Sequence, residues 1–164
     1  MKSVILFGST TGNTQTAADL ISLKLGNCES HNVLNVKFDL FETDLLILGS
    51  STWGVGDLQD DWERKINELK NSKLKVKNIA FFGTGDQYSY SDSFVDAIGK
   101  LYNAVIDKGI NIVGMVDSSE YNFSKSEAVV DGKFVGLPLD YDNDANACES
   151  KINKWVKQIV NECK

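Results

Sequence analysis

Nearly unbroken apolar runs punctuate the chain at wide intervals: Val4-Ile5-Leu6-Phe7, Leu45-Leu46-Ile47-Leu48 and Ile79-Ala80-Phe81-Phe82. Short continuous runs bounded by glycine or polar residues predict strands buried on both faces. The predicted strands cover residues 2–8, 44–51, 78–83 and 110–116, with a weaker one over 28–36. Between them the apolar positions change to helical spacing. Ala17, Ile21 and Leu25 mark a helix over 14–25 that stops at Gly26-Asn27. Trp62, Ile66 and Leu69 mark one over 60–70, with Asp60, Asp61 and Glu63 in the first turn, where the helix dipole favours them. Phe94, Ile98, Leu101 and Val105 align over 91–107, and Cys148, Ile152, Trp155 and Ile159 over 143–163. Strands alternating with helices predict an α/β fold, a five-stranded parallel sheet with helices on both faces. The one proline, Pro138, lies in the single long irregular stretch, 118–142.

Composition narrows the class. The 164 residues suit one domain that buries about 70% of its unfolded surface without disulfide help. A net charge of −6 argues against nucleic acid or an anionic membrane as partner, and for basic protein partners found by electrostatic steering. Three cysteines (Cys28, Cys148, Cys163) without a Cys-x-x-Cys pair argue against a disulfide framework or a zinc site. No signal-peptide core and no apolar run of membrane-spanning length occur, so a cytoplasmic location is expected.

In open parallel sheets ligands bind beyond the carboxyl ends of the strands. After the first predicted strand comes Gly8-Ser9-Thr10-Thr11-Gly12-Asn13-Thr14, leading straight into a helix. A helix N-terminus offers unpaired amides and the positive end of the dipole, Gly12 permits close backbone approach, and Ser9, Thr10, Thr11 and Thr14 carry hydroxyl donors. No lysine or arginine lies in this loop, so a phosphate there is held by neutral donors. The spacing excludes both the Gly-x4-Gly-Lys-Ser/Thr loop and the Gly-x-Gly-x-x-Gly fingerprint. On its own the loop is equally a turn rich in capping residues. The later loops tilt the balance: Ser50–Leu58 carries Trp53 among glycines, and Gly83–Tyr90 carries Tyr88 and Tyr90. Aromatics outside the apolar periodic runs are poor core candidates. His31 is the only histidine and falls in the weak strand, which makes it an edge or surface residue and a Ser-His-Asp hydrolase untenable. The acidic run 140–144 lacks calcium-loop spacing and suits the cap of the last helix. A phospho-receiver domain would need acids where this chain has Gly8-Ser9 and Ser50-Ser51.

Together these loops resemble those of flavodoxins. Ser9 to Thr14 is similar to their phosphate loop, Thr52-Trp53-Gly54 to the loop on the inner flavin face, and Gly83-Thr84-Gly85-Asp86-Gln87 with Tyr90 and Phe94 to the outer-face loop. Gly132-Lys133-Phe134-Val135-Gly136-Leu137, followed by Asp140 and Asp142, resembles the tract after the extra loop of the long-chain branch. The likeness spans nearly the whole chain, departing in a shortened stretch between Gly26 and Asp39 and at Ser93, where the branch often has Asn. It implies a three-layer flavodoxin-like sandwich of strand order 2-1-3-4-5, one domain over 1–164, and an insertion within the last strand at about 118–134. It implies bound FMN contacted by Ser9, Thr10, Thr11, Gly12, Asn13 and Thr14, by Thr52, Trp53, Gly54, Val55 and Gly56, and by Thr84, Gly85, Asp86, Tyr90, Ser93, Phe94 and Asp142.

The resemblance further implies a monomeric one-electron carrier, not an enzyme, shuttling between flavin semiquinone and hydroquinone. Its expected partners are an NADPH-dependent flavodoxin reductase and a 2-oxoacid oxidoreductase; a flavodoxin-fold quinone or nitro reductase is the alternative. The physical reading agrees. A flat ring, apolar on both faces, needs two aromatic walls, Trp53 and Tyr90, each burying roughly 200 Å², or about 5 kcal/mol before ordering costs. Asp57, Asp86, Asp92 and Asp142 place negative charge near the ring and make an anionic reduced flavin unfavourable, hence strongly reducing. Glycine at position 54 makes a flipped peptide with positive φ cheap, which lets its carbonyl accept the N5 proton of the semiquinone. Gly54→Ala is therefore expected to lower the semiquinone yield in a redox titration, and an unchanged yield would contradict this role.

Overall fold

The computed structural model describes residues 1–163. Its first strand, β1 (Ser3–Gly8), is buried along its whole length, as its unbroken apolar run requires. Then follow α1 (Asn13–Leu25), β2 (Cys28–Asn32), β3 (Glu42–Trp53), the short return strand β4 (Asp57–Leu58) and α2 (Asp60–Asn71). After β5 (Lys75–Thr84) and α3 (Asp96–Val105) come four two-residue strands, β6 (Asn111–Ile112), β7 (Val116–Asp117), β8 (Val129–Val130) and β9 (Lys133–Phe134). The chain ends with β10 (Leu137–Leu139) and α4 (Tyr141–Glu162).

The sheet runs β2-β1-β3-β5-β10, with every pairing along that path parallel. This is the expected 2-1-3-4-5 order. Ile5 sits between Ser30 and Ile47, and Leu48 opposite Phe81, so the apolar runs lie side by side. Alternation along each strand splits the core in two. Val4, Leu6, Leu46, Leu48, Ile79 and Phe81 pack against α2 and α3 through Trp62, Leu69, Ile98 and Leu101. Ile5, Phe7, Leu45, Ile47, Ala80 and Phe82 pack against α1 and α4 through Ala17, Ile21, Ile152, Trp155 and Ile159. Each buried indole is also tied by its N–H: Trp62 Nε1 donates to the Gly49 carbonyl (2.6 Å) and Trp155 Nε1 to that of Gly114 (2.8 Å). Those bonds remove the penalty of burying a polar atom in the largest core side chains.

The sequence pattern is corrected in three places. The fifth strand, read as 110–116, is split. Only Asn111–Ile112 pairs with β5, beside Asn78 and Ile79, and the Val113 amide adds one bond to the Ile79 carbonyl. At Gly114 the backbone turns to φ +81°, under Trp155, and the chain leaves the sheet. Val116 then pairs antiparallel with Phe134 in a small β7-β9-β8 sheet, and the chain re-enters the main sheet as β10, beside Phe82 to Thr84. The apolar run continued past the strand because Val116 packs on the core without belonging to the main sheet. The helix read as 91–107 starts only at Asp96, since Val95 at φ +50° breaks the helical path, and Phe94 owes its periodic position to an aromatic cluster with Tyr121, Phe123 and Phe134. The second strand ends at Asn32, whose side chain accepts from the Leu34 amide (2.9 Å) and opens a 3-10 turn; His31 lies on this edge strand.

Gly136, where the chain rejoins the main sheet, has no room for a side chain: a Cβ there would stand 2.3 Å from the Phe81 carbonyl oxygen, a backbone atom fixed inside the sheet. Gly136→Ala is expected to cost about 1–3 kcal/mol by overpacking, seen as a fall of several degrees in Tm; an unchanged Tm would contradict this packing.

Candidate functional site

The loop after β1 is shaped from below by Gln59. A Cβ on Gly8 would lie 2.0 Å from Gln59 Oε1, so only glycine lets the loop seat there. Gln59 Oε1 caps α2 by accepting from the Asp61 amide (2.9 Å), while its Nε2 donates to Thr10 Oγ1 (3.2 Å). Ser9 Oγ accepts from the Gly12 amide (3.1 Å), and Gly12, at φ +97°, turns the chain into α1. Thr14 is buried, and its hydroxyl meets that of Thr84 (3.1 Å), joining this loop to the end of β5.

Helix starts in this protein differ in a telling way. α2 and α4 are capped by Gln59 and Asp140 and carry acids in the first turn. α1 has neither a side-chain cap nor an acid there. Its first-turn amides and positive dipole end are left for an external anion, and the loop residues Ser9 to Thr14 that lead into it are all uncharged. The donor set fits a phosphate monoester.

Next to this helix start lies a cleft of about 200 Å³ between the loops that follow β3 and β5. Trp53 and Tyr90 line it from separate loops, 41% and 54% exposed, unusual for rings of their size in a molecule with ample core. Trp53 is held by its indole N–H, which donates to Ser51 Oγ (2.8 Å), and the turn beyond it has positive φ at Gly54 (+52°) and Gly56 (+87°). Thr52 Oγ1 accepts from the Ala97 amide (3.1 Å), fixing this loop to the start of α3. Of the two candidate tyrosines, Tyr90 is on the cleft; Tyr88, 61% exposed, turns its hydroxyl to Asn122 Nδ2 (3.2 Å).

The structure brings Thr11, Asn13, Thr52, Trp53 and Gly54 together with Thr84, Gly85, Asp86, Tyr90 and Asp142 on this one cleft. Ser9, Thr10, Gly12 and Thr14 build the adjoining loop and helix start without lining the cleft. Val55 projects into solvent at the rim, and Gly56 is buried against Asp96. Ser93 is buried behind the loop, and Phe94, 1% exposed, sits in the aromatic cluster. Sequence reasoning missed Ser51 and Tyr141, both on the cleft wall. A serine two residues before an exposed tryptophan was a usable signal; Tyr141, the first helical residue after the Asp140 cap, gave none.

Charge in the cleft is wholly negative. Burial raises the Asp86 carboxyl, but the Ser89 amide, Asn143 and the Tyr88 amide together outweigh it and hold it below the usual range. Asp142 moves the other way: burial, then Asp86 and Asp140, push its carboxyl up. Burial takes the Tyr141 phenol up to about 12. No cation among the described residues lines the cleft. Among the described residues no group of three or more metal-ligating side chains converges, and no helix is long and apolar enough to cross a membrane. The site suits a flat group with an anionic tail, and it resists further negative charge on that group.

Known proteins share this sequence pattern and fold. A family model described as Flavodoxin matches residues 5–155. A flavodoxin of Nostoc sp. is 39% identical over 161 residues, covering 96% of this chain and 95% of the relative. The flavodoxin of Buchnera aphidicola is 40% identical over 165 residues, covering 98% and 96%. A crystal structure of Fusobacterium nucleatum flavodoxin bound to flavin mononucleotide superposes with a TM-score of 0.93 at 29% identity, covering 100% of both chains. With its sheet order, its uncapped α1 and its paired ring loops, the chain belongs to the flavodoxin family.

Proposed function

We propose that the protein is an electron carrier that holds FMN in the Trp53–Tyr90 cleft and passes single electrons between redox proteins. The observation that carries this reading is the pair of partly exposed rings lining one cleft, Trp53 at the end of β3 and Tyr90 on the loop after β5, beside a helix start with no acid in its first turn. FMN supplies the one-electron chemistry when bound; the protein supplies the walls, the phosphate cradle and the electrostatics. In this reading Ser9 to Thr14 hold the phosphate, with Gly12 turning the chain into α1 and Asn13 contributing a backbone amide. Trp53 and Tyr90 flank the ring and exclude water from both faces. Gly54, Val55 and Gly56 form the turn at one ring edge, and Thr84, Gly85 and Asp86 the other. Asp142 stands toward the ribityl side, while Ser93 stays buried behind the loop and Phe94 supports the Tyr90 loop from the core. Rings on both faces leave only an edge for contact, which favours protein-to-protein transfer over an enzyme that stacks a small substrate on the flavin.

The chain then works as one FMN-binding domain, a cytoplasmic monomer. Its partners are an NADPH-dependent flavodoxin reductase as donor and a low-potential acceptor of the 2-oxoacid oxidoreductase type. The net charge of −6 supports basic docking faces on those partners. Mixed with NADPH and such a reductase, the flavin-loaded protein is expected to relay electrons to an acceptor; reduction of quinones from NADPH without the reductase would contradict the carrier reading.

The two acids give a pH signature. Asp142, raised, is protonated first as pH falls, while Asp86, lowered, keeps its charge to more acid pH. Acidification therefore first removes the Asp142 charge, and the protein's most negative midpoint potential rises. Asp142→Asn is expected to raise that potential at neutral pH by tens of millivolts, about 1 kcal/mol, and to flatten its first rise on acidification. A variant with an unchanged potential would exclude Asp142 from this electrostatics.

A further inference from the structure

Between β6 and β10 the chain makes a long excursion, and its residues 121–128 run beside the approach to α3. The Asn122 amide donates to Gln87 Oε1 (2.7 Å) and its side chain to the Tyr88 hydroxyl (3.2 Å). The Ser91 carbonyl accepts from the Ser124 and Lys125 amides (2.9 and 3.1 Å), and Ser91 Oγ accepts from the Ser124 amide (2.8 Å) and meets Ser124 Oγ (3.0 Å). Ser126 Oγ donates to the Phe94 carbonyl, and the Glu127 amide to Asp96 Oδ1 (2.8 Å). At Gly99 the two backbones come so close that a Cβ would lie 2.5 Å from the Glu127 carbonyl oxygen. Underneath, Tyr121 and Phe123 pack on Phe94.

The stretch thus tied down has turn bonds of its own, from the Tyr88 and Ser89 amides to Asp86 Oδ1 and from the Tyr90 amide to the Asp86 carbonyl, and Gln87 is tied to Asp140, but it has no regular ladder. Residues 85–95 contain no helix or strand, yet they carry Tyr90. Segments without a ladder of their own open most easily. Val95, a β-branched residue at φ +50°, holds a strained backbone conformation that persists only where the surroundings impose it.

Asp96 connects this stretch to the other ring. It is 7% exposed and makes no ion pair among the described residues. While Oδ1 accepts from the excursion, Oδ2 abuts the turn beyond Trp53: a Cβ on Gly56 would be 2.5 Å from it. The neighbouring Ala97 amide donates to Thr52 Oγ1 (3.1 Å), on the same loop as Trp53.

We propose that residues 121–128 are a splint for the Tyr90 loop, and that Asp96 is the positioning residue through which the same splint sets the 54–57 turn. The functional half of this inference rests on the FMN reading; the structural half stands without it. The splint lowers the ordering cost of binding by holding both walls in place before the flavin arrives.

The test uses the full chain, with and without FMN. Asp96→Ala removes the acceptor for the Glu127 amide, whereas Asp96→Asn keeps an oxygen there. Ser124→Ala cuts the Ser91 hydroxyl bond well away from the cleft. Asp96→Ala is expected to speed amide exchange about tenfold at 54–57 and 88–95 in the flavin-free protein, and to weaken FMN binding about tenfold, the effect of losing one buried hydrogen bond. Asp96→Asn should restore both to within about twofold, and Ser124→Ala should loosen 88–93 alone. If Asp96→Ala lowers Tm but leaves loop exchange and FMN affinity unchanged at a temperature where it is folded, the splint is overturned and the excursion is a stabilising or docking element only. Failure of the unaltered protein to bind FMN would remove the cofactor reading, and the exchange comparison would still decide the splint.

Discussion

A parallel sheet buried on both faces delivers the loops at its carboxyl edge to one place, and that constraint governs this molecule. β1, β3 and β5 run side by side in one direction, so the phosphate loop, the Trp53 turn and the Tyr90 loop emerge together. Their relative positions are then fixed by a few side-chain bonds. Gln59 spans from the α2 cap to Thr10, the Thr14 and Thr84 hydroxyls join across the edge, and Thr52 caps the start of α3. None of these groups carries a net charge. Among the described residues no cation lines the cleft, and the charged side chains that line it are the carboxylates Asp86 and Asp142.

That arrangement serves two ends. In the proposed reading, neutral donors at an uncapped helix hold the phosphate without a cation that would stabilise added negative charge on the ring. The acids near the mouth would make such added charge costly. Both would push a bound flavin toward giving electrons up. The excursion between β6 and β10 adds hydrogen bonds from residues 122–127 to the turn bonds that the Tyr90 loop makes within itself and to Asp140.

The parts of this plan that depend on burial were readable in the sequence. Strands β1, β3 and β5 are apolar runs because both faces are covered, and α2 and α4 show one apolar face each. The split fifth position was not readable: Gly114 departs from the sheet because Trp155 packs over it and bonds its carbonyl, a contact between residues 41 apart. Phe94 misled for the opposite reason, since its spacing suits a helix while its partners are the rings of the excursion. In the site, the rings and hydroxyls were visible as residues out of place in a core pattern. Asp140 was legible as the cap of the last helix, but Gln59 and Asp96 were not, because a buried polar side chain takes its meaning from the backbone groups it meets.

The account turns on two ring walls and an uncharged phosphate cradle acting on one ligand. The most direct measurement is a fluorescence titration of FMN, and in parallel of riboflavin, with refolded flavin-free protein. The account predicts that FMN emission is quenched to an endpoint at one equivalent, and that riboflavin, lacking the phosphate, binds far more weakly. Absence of FMN quenching, or equal affinity for the two flavins, would contradict it.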